Sequence, residues 1–480
     1  MKCELQRALP SVEGIHPEYL INFLNACEKA ESEIHGIMIA RHGKVIFEGY
    51  NAPYAADIPH IMHSFTKILT NTAVALAYDD GLLKLEDPVL KYFPEYEADA
   101  NEYLRACTIR NMITMRNGQQ RSIGGNEWRP LKTSWKEAYF RVPFDKKPGE
   151  TYMYSSGNSY ILSYIVQKLE GKTCRELVQE RVGKEIGLHD FPWMLSPEGV
   201  CSGGNGVSLT TEDMLRIGLL YLNKGKWNGK QLISDEWIDE AMGYTNPIAP
   251  VDGLQYNFHW DHTGDIWAAR GMFGQTCGLV PSLDLVFAIT AADSRYVAMK
   301  LFQKEVIDPV KAGKEPEIPD ATAEEILKQK GLRMTLEGKN VSVKGHQELP
   351  KDAVWTSEEN KDGITKAELH VTDGDQVVYV MEDGRGRHQV TAGLDYWVDG
   401  VTTMTGAYLH HQYEQEESRI SAIAYWTDEH VLTMEWRFPE MAFWDHVSLT
   451  WDGDTVKMDR WVNMNSQDVK RPTVYLSRED

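Results

Sequence analysis

Positive charge is in short supply. Against 71 Asp and Glu, the 480 residues carry 50 Lys and Arg, a formal net charge of −21 and a pI near 5.2. Such a surface repels phosphate backbones and anionic lipid, which speaks against nucleic acid or a membrane surface as partner. No apolar run approaches the roughly 18–20 residues of a bilayer span, and the opening MKCELQRALPSVEG lacks the apolar core of a secretory signal. Cysteine is scarce and scattered. Cys3, Cys27, Cys107, Cys174, Cys201 and Cys277 include no C-x-x-C pair, which points to reduced thiols in a cytoplasmic protein. There is no H-E-x-x-H, and His410-His411 lacks a spaced acidic or cysteine partner, so no metal is expected. No glycine-rich phosphate-binding motif stands between a strand and a helix, and no cofactor is expected.

What is present is an ordinary globular balance, 42% hydrophobic and 25% charged, in a chain long enough for more than one domain. HGIMIARHGKVIFEGY (35–50) reads as a hairpin about His42-Gly43. A helix is predicted over 64–80, ending at Gly81, and another over 158–170, where Tyr160, Ile161, Tyr164, Ile165 and Leu169 mark one face. Thr210 and Asp213 fit a capping box that opens a third helix. Residues 256–292 read as consecutive antiparallel strands, and 295–310 as one more helix. Strands at both ends with helices between predict an α+β domain over 1–312, a sheet flanked by helices with a helical subdomain inserted. A charged, Pro-containing stretch predicts a linker over 313–332. From 333 to 480 alternating runs are punctuated by Asp-Gly at 362–363, 373–374, 383–384, 399–400 and 452–453, the pattern of an all-β sandwich or barrel. Its tryptophans (Trp355, Trp397, Trp426, Trp436, Trp444, Trp451 and Trp461) either fill a core or form an aromatic ligand face.

IMHSFTKILTNTAVAL (61–76) holds the sharpest chemical signal. On a helix, i and i+3 share a face, so Ser64 and Lys67 can meet. A helix start favours developing negative charge, and a lysine withdrawn from water loses its proton near neutral pH and can serve a serine nucleophile as base. The plainer alternative is that Ser64 caps the helix and Lys67 is solvated.

The order of segments bears on that choice. Ser64-Phe65-Thr66-Lys67, then GLLKLEDPVLKYFPEY, CTIRNMITMRNG, PGETYMYSSGNSYILSYIVQKLEGKT and GVSLTTEDMLRIGLLYLNKGKWNGKQLIS, resemble the serine β-lactamase and penicillin-recognising superfamily over residues 15–312. The likeness is to the class C branch and its related esterases and D-peptidases. It implies the β-lactamase/transpeptidase-like fold and a serine hydrolase working through an acyl-enzyme. Ser64 is then nucleophile, and Lys67 and Tyr154 are the acid/base groups. Ser156 stands where β-lactamases usually carry Asn, as a donor to substrate. The Lys-Thr-Gly strand element is absent; Ala269-Arg270-Gly271 takes its place, and His262-Thr263-Gly264 lies too early, with His262 expected in the preceding hairpin turn. Arg270 would face a substrate carboxylate or a surface acid, Gly271 would line the substrate, and the amides of Ser64 and Met272 would form the oxyanion hole. The expected activity is that of an esterase, or of an amidase or peptidase of D-amino-acid type, on a small molecule, with weak or no β-lactamase action. The alternatives are a catalytically silent ligand-binding protein on the same fold and glycan-directed chemistry in the same pocket. Homo-oligomer formation is left open.

Overall fold

The computed structural model describes residues 4–243, 255–332, 334, 342–372 and 375–478. It divides into two compact units, Met1–Met334 and Thr335–Asp480.

The first unit carries a seven-stranded antiparallel sheet. Its strands are β1 (Glu33–Arg41), β2 (Lys44–Tyr50), β3 (Gln255–Asn257), β4 (Trp260–Thr263), β5 (Ile266–Gly271), β6 (Gln275–Val280) and β7 (Leu285–Ala292), in the order β2-β1-β7-β6-β5-β4-β3. Pairing of β1 with β7 runs from Glu33↔Ala292 to Arg41↔Leu285, so the chain leaves the sheet after β2 and returns to it through the later strands. The β1–β2 hairpin turns at His42 and Gly43, both at positive φ, as a two-residue hairpin loop requires.

Alternate side chains of each strand point to opposite faces. Met38, Ala40, Trp267, Ala269, Cys277 and Leu279 join one core. It includes Phe65, Ile68 and Leu69 near the start of helix α2 (Thr66–Asp79), Tyr160, Ile161 and Ile165 of α3 (Ser156–Glu170), and Met214 and Leu215 of α4 (Thr211–Leu222). Ile37, Ile39, Ile266, Ala268, Phe287 and Ile289 form the other core with α1 (Pro17–Lys29) and the 297–307 segment. Helix α4 opens on the Thr210–Asp213 capping box and lies close on the sheet: a Cβ on Gly218 would come within 2.5 Å of Cys277 Sγ.

Three details differ from the sequence reading. The 313–332 stretch contains a helix, Asp320–Leu332, whose Ala323 and Leu327 are buried in the core beside α1; two apolar residues one turn apart suffice to anchor it. His262 lies on β4 opposite Trp267, because the turn falls after Thr263. The 64–80 helix begins as a short 3-10 turn, His63–Phe65, before α2 takes over.

The second unit is a β-barrel, which resolves the sandwich-or-barrel alternative. Its strands are β8 (Asp352–Ser357), β9 (Lys366–Val371), β10 (Gln376–Asp383), β11 (Gly386–Leu394), β12 (Val398–Thr402), β13 (Ser418–Asp428), β14 (Val431–Arg437), β15 (Trp444–Asp452), β16 (Thr455–Val462) and β17 (Val474–Arg478). Nine of them close in the order β11-β10-β9-β8-β17-β16-β15-β14-β13, the ring being sealed by parallel pairing of Gly393 and Leu394 with Ile423 and Ala424, while β12 is added to β13. Closure removes the free edges that an open sheet would expose. Asp383-Gly384 and Asp452-Gly453 do sit at hairpin turns, whereas Asp399-Gly400 lies within β12 and Asp373-Gly374 lies outside the described residues. Trp355, Trp426 and Trp436 are buried and serve the packing of the domain, while Trp397, Trp444, Trp451 and Trp461 are half-buried. Among the described residues no helix is long and apolar enough to cross a membrane.

Candidate active site

The Ser64 turn is held from two sides. A two-residue ladder pairs His60–Ile61 with Ser208–Leu209, and the Met62 amide donates to the Val207 carbonyl at 2.8 Å. His63 is buried at a φ of 46°, an uncommon conformation for a residue with a side chain, and its ring meets Phe273 edge-on at 5.1 Å. Ser64 follows in the 3-10 turn. Phe65, not Ser64, is the N-cap residue of α2, and the Ser64 hydroxyl meets Lys67 instead.

Lys67, in the first turn of α2, is 1% exposed. Its Nζ donates to Ser64 Oγ at 3.2 Å, to Ser156 Oγ at 3.1 Å and to the Gly204 carbonyl at 2.7 Å. Burial lowers its pKa from 10.5 to about 7, helped by the positive field of Arg129 and opposed by Asp261. This is the expected response of an amine taken out of water, and it leaves a large fraction of Lys67 neutral at physiological pH.

Tyr154 lies beneath that amine, its ring centroid 4.7 Å from Lys67 Nζ. Some 38% of the residue is open to solvent, yet the crowded surroundings of the hydroxyl push its pKa up, with the Ser64 hydroxyl pulling the other way. The group is therefore a neutral phenol at neutral pH. Its ring meets Tyr256 edge-on at 5.8 Å. Tyr256 OH is 2.9 Å from His259 Nδ1, and His259 Nε2 is 3.3 Å from Ser159 Oγ. Burial, with Lys67 nearby, keeps the His259 imidazole neutral.

Strand β5 forms the opposite wall. A Cβ on Gly271 would lie 2.1 Å from the Met62 carbonyl, so glycine is what lets the end of β5 press against the Ser64 turn. Arg270 shares a strand face with Ile266 and Ala268, the face turned from the α2 core. It is neither solvated nor set against a surface acid: its Nε donates at 2.6 Å to Asp261 on β4, whose side chain is 16% exposed, and its guanidinium covers the Tyr296 ring at 4.9 Å. Tyr296 OH in turn donates to the Gly271 carbonyl at 3.1 Å.

Most of the residues singled out from sequence thus gather around Lys67 and the Ser64 turn. Ser64, Lys67, Tyr154 and Ser156 are in direct contact through the lysine; Gly271 and Phe273, on either side of Met272, meet Met62 and His63 of the serine turn, and Arg270 stands one strand face away. Sequence reasoning missed Gly204, Tyr256, His259 and Asp261. Asp261 adjoins the His262-Thr263-Gly264 triplet and could have drawn notice as the acid before it, but Tyr256 and His259 carry no spacing signal. Among the described residues no cluster of three or more His, Cys, Asp and Glu is arranged to hold a metal ion; His410 is bound to Asp445, 2.6 Å away.

Comparison with known proteins adds a lineage to this geometry. Residues 24–301 match the model of the Beta-lactamase family. The 6-aminohexanoate-dimer hydrolase of Paenarthrobacter ureafaciens is 25% identical over 281 residues, 52% of this chain and 70% of that protein. The D-alanyl-D-alanine-carboxypeptidase/endopeptidase AmpH of Escherichia coli K12 is 25% identical over 185 residues, 33% of this chain and about half of that protein (48%). Among solved structures, the octameric penicillin-binding protein homologue from Pyrococcus abyssi superposes with a TM-score of 0.50 at 15% identity, covering 96% of this chain and 99% of that one. That last likeness is one of fold.

Proposed function

This chain belongs to the beta-lactamase family, and from that premise we propose that it is a serine hydrolase acting through an acyl-enzyme on a small ester or amide, with weak or no action on β-lactams. The observation that carries the reading is the contact of a buried Lys67, its pKa lowered to about 7 by burial, with Ser64 Oγ above the Tyr154 ring. A serine hydroxyl at its free pKa is a poor nucleophile, and an adjacent base is what activates it.

In this mechanism neutral Lys67 keeps its two N–H donors for Ser156 and Gly204, accepts from the Ser64 hydroxyl and takes its proton as Oγ bonds to the substrate carbonyl carbon. The oxyanion is held by the amides of Ser64 and Met272, each donor contributing on the order of 10²–10³ in rate. Tyr154, a phenol rather than a phenolate, gives its proton to the leaving alcohol or amine and regains one from the Lys67 ammonium. Water then attacks the acyl-enzyme with the roles reversed. Ser156 and Gly204 hold the amine between them; Ser156 and Gly271 also face the substrate. With Asp261 balancing Arg270, this wall lacks the unpaired cation that a Lys-Thr-Gly strand supplies, which supports the low expectation for β-lactams.

The five described cysteines are free and buried, which supports a reducing, cytoplasmic setting. Hydrolysis of p-nitrophenyl acetate by the full chain and by Ser64→Ala tests the assignment: turnover is expected in the former and none above background in the latter, and equal rates would remove it.

A further inference from the structure

Inside the second unit, charge sits where a barrel core needs none. Strand β16 buries Val456, Met458, Arg460 and Val462, and β15 buries Asp445, Val447 and Leu449. Asp445 is fully buried and Arg460 is 8% exposed. Ions in such a place cost several kcal/mol each unless their hydrogen-bonding groups are met. Asp445 is met completely: Arg460 Nε donates to it at 2.8 Å and Nη2 donates to the same oxygen, while His410 Nε2 stands 2.6 Å from the other. Arg460 is not. Its Nη2 also reaches the Thr405 carbonyl at 3.2 Å, but among the described residues nothing accepts from its Nη1.

Arg471 repeats the arrangement. Its Nε donates to Asp362 at 2.6 Å and its Nη2 reaches the same oxygen. The guanidinium lies over the Tyr408 ring at 4.2 Å, and again no acceptor for Nη1 is found among the described residues.

Both arginines line a single cavity of about 210 Å³, whose apolar wall is Ile364, Met381 and Leu409. It is smaller than the ~300–1,000 Å³ of sites for drug-sized ligands, so its occupant has to be small. The acids on its lining are mostly engaged: Asp362 by Arg471, and Asp383 by Arg385 and His388. With Asp445 beneath Arg460 the charges nearly balance. Attraction therefore comes from directed N–H donors rather than from net charge, which suits one carboxylate and disfavours a multiply charged phosphate.

We propose that this cavity binds a small monocarboxylate, its oxygens accepting from the Nη1 groups of Arg460 and Arg471 and its short carbon chain lying along Ile364, Met381 and Leu409. The proposal is independent of the hydrolase reading. Calorimetric titration of the full chain with hexanoate, hexylamine and inorganic phosphate tests it. Saturable binding of hexanoate is expected, weaker binding of phosphate and none of hexylamine. Arg471→Gln is expected to weaken hexanoate by about tenfold or more, equivalent to about 1.4 kcal/mol. Because Arg460→Met alone would orphan Asp445, the pair Arg460→Met with Asp445→Leu removes both charges together and is expected to abolish the site. Hexanoate held only in the catalytic cleft would bind both variants unchanged and overturn the proposal. So would hexylamine or phosphate binding as tightly as hexanoate, or no saturable binding at all.

Discussion

Lys67 Nζ stands 3.2 Å from Ser64 Oγ while also donating to the Gly204 carbonyl at 2.7 Å. The second contact fixes where the amine points, and burial fixes its charge. The consequences can be measured separately.

The first concerns cost. The unfolded chain holds the Lys67 proton up to about 10.5, the folded one only to about 7. A lowered lysine pKa means that the burial penalty is fully present below pH 7 and is relieved as pH rises from 7 towards 10.5. Lys67→Met is expected to raise the Tm, with a larger gain at pH 6 than at pH 9, and to lower kcat/KM by about a hundredfold or more. In the wild type, kcat/KM for an ester is expected to fall as pH drops through 7. Calorimetry and a pH–rate profile check both; a Tm gain that grows with pH would contradict the assignment of the charge.

Tyr154 is held as a neutral phenol, so in the proposed mechanism it supplies a proton rather than removing one. Tyr154→Phe is therefore expected to slow hydrolysis of an alkyl ester or anilide by about 10²-fold, and that of a p-nitrophenyl ester far less, since p-nitrophenolate leaves without a proton. Parallel kinetics on the two leaving groups decide it. Equal losses would assign the residue a packing role.

Gly271 is where backbone meets backbone. Gly271→Ala sets a methyl 2.1 Å from the Met62 carbonyl, which cannot be relieved by a rotamer change, so β5 and the Ser64 turn must part. Ester turnover is expected to fall by about 10²-fold, the size of a lost oxyanion donor, with far-UV circular dichroism little changed.

In the barrel, burial pushes the Asp445 carboxyl up, but Arg460 and His410 outweigh it and hold the group at about 2, against an ordinary 3.8. A depressed carboxyl pKa stabilises the folded state above pH 4, and the contribution is lost as pH falls from 4 towards 2. Asp445→Asn is expected to destabilise the domain by about 3–5 kcal/mol by leaving Arg460 buried without its partner. Urea titration at pH 7 measures this.

Much of the first unit was legible because its signals are local. A Ser and a Lys three residues apart, a Thr-x-x-Asp capping box before α4 and a His-Gly turn between β1 and β2 all act within a few residues. The barrel was legible only as β texture: its closure depends on Gly393 and Leu394 meeting Ile423 and Ala424, and no local pattern announces a parallel pairing at that separation. From its strand alone Arg270 reads as facing a substrate carboxylate or a surface acid, and only the fold of the β4–β5 hairpin brings Asp261 onto the same face. The helix at 320–332 escaped notice for a similar reason. Its charged surface resembles a linker; its only buried side chains are Ala323 and Leu327, and its ties to Ser11, His16 and Glu28 come from residues some 300 positions away.

The most direct measurement is intact-mass analysis of the full chain after treatment with a fluorophosphonate, followed by peptide mapping. One phosphonyl group per chain, located on Ser64 and absent from Ser64→Ala, is the expected result. An unlabelled protein, or an adduct on any other residue, would contradict the assignment of Ser64 as the nucleophile.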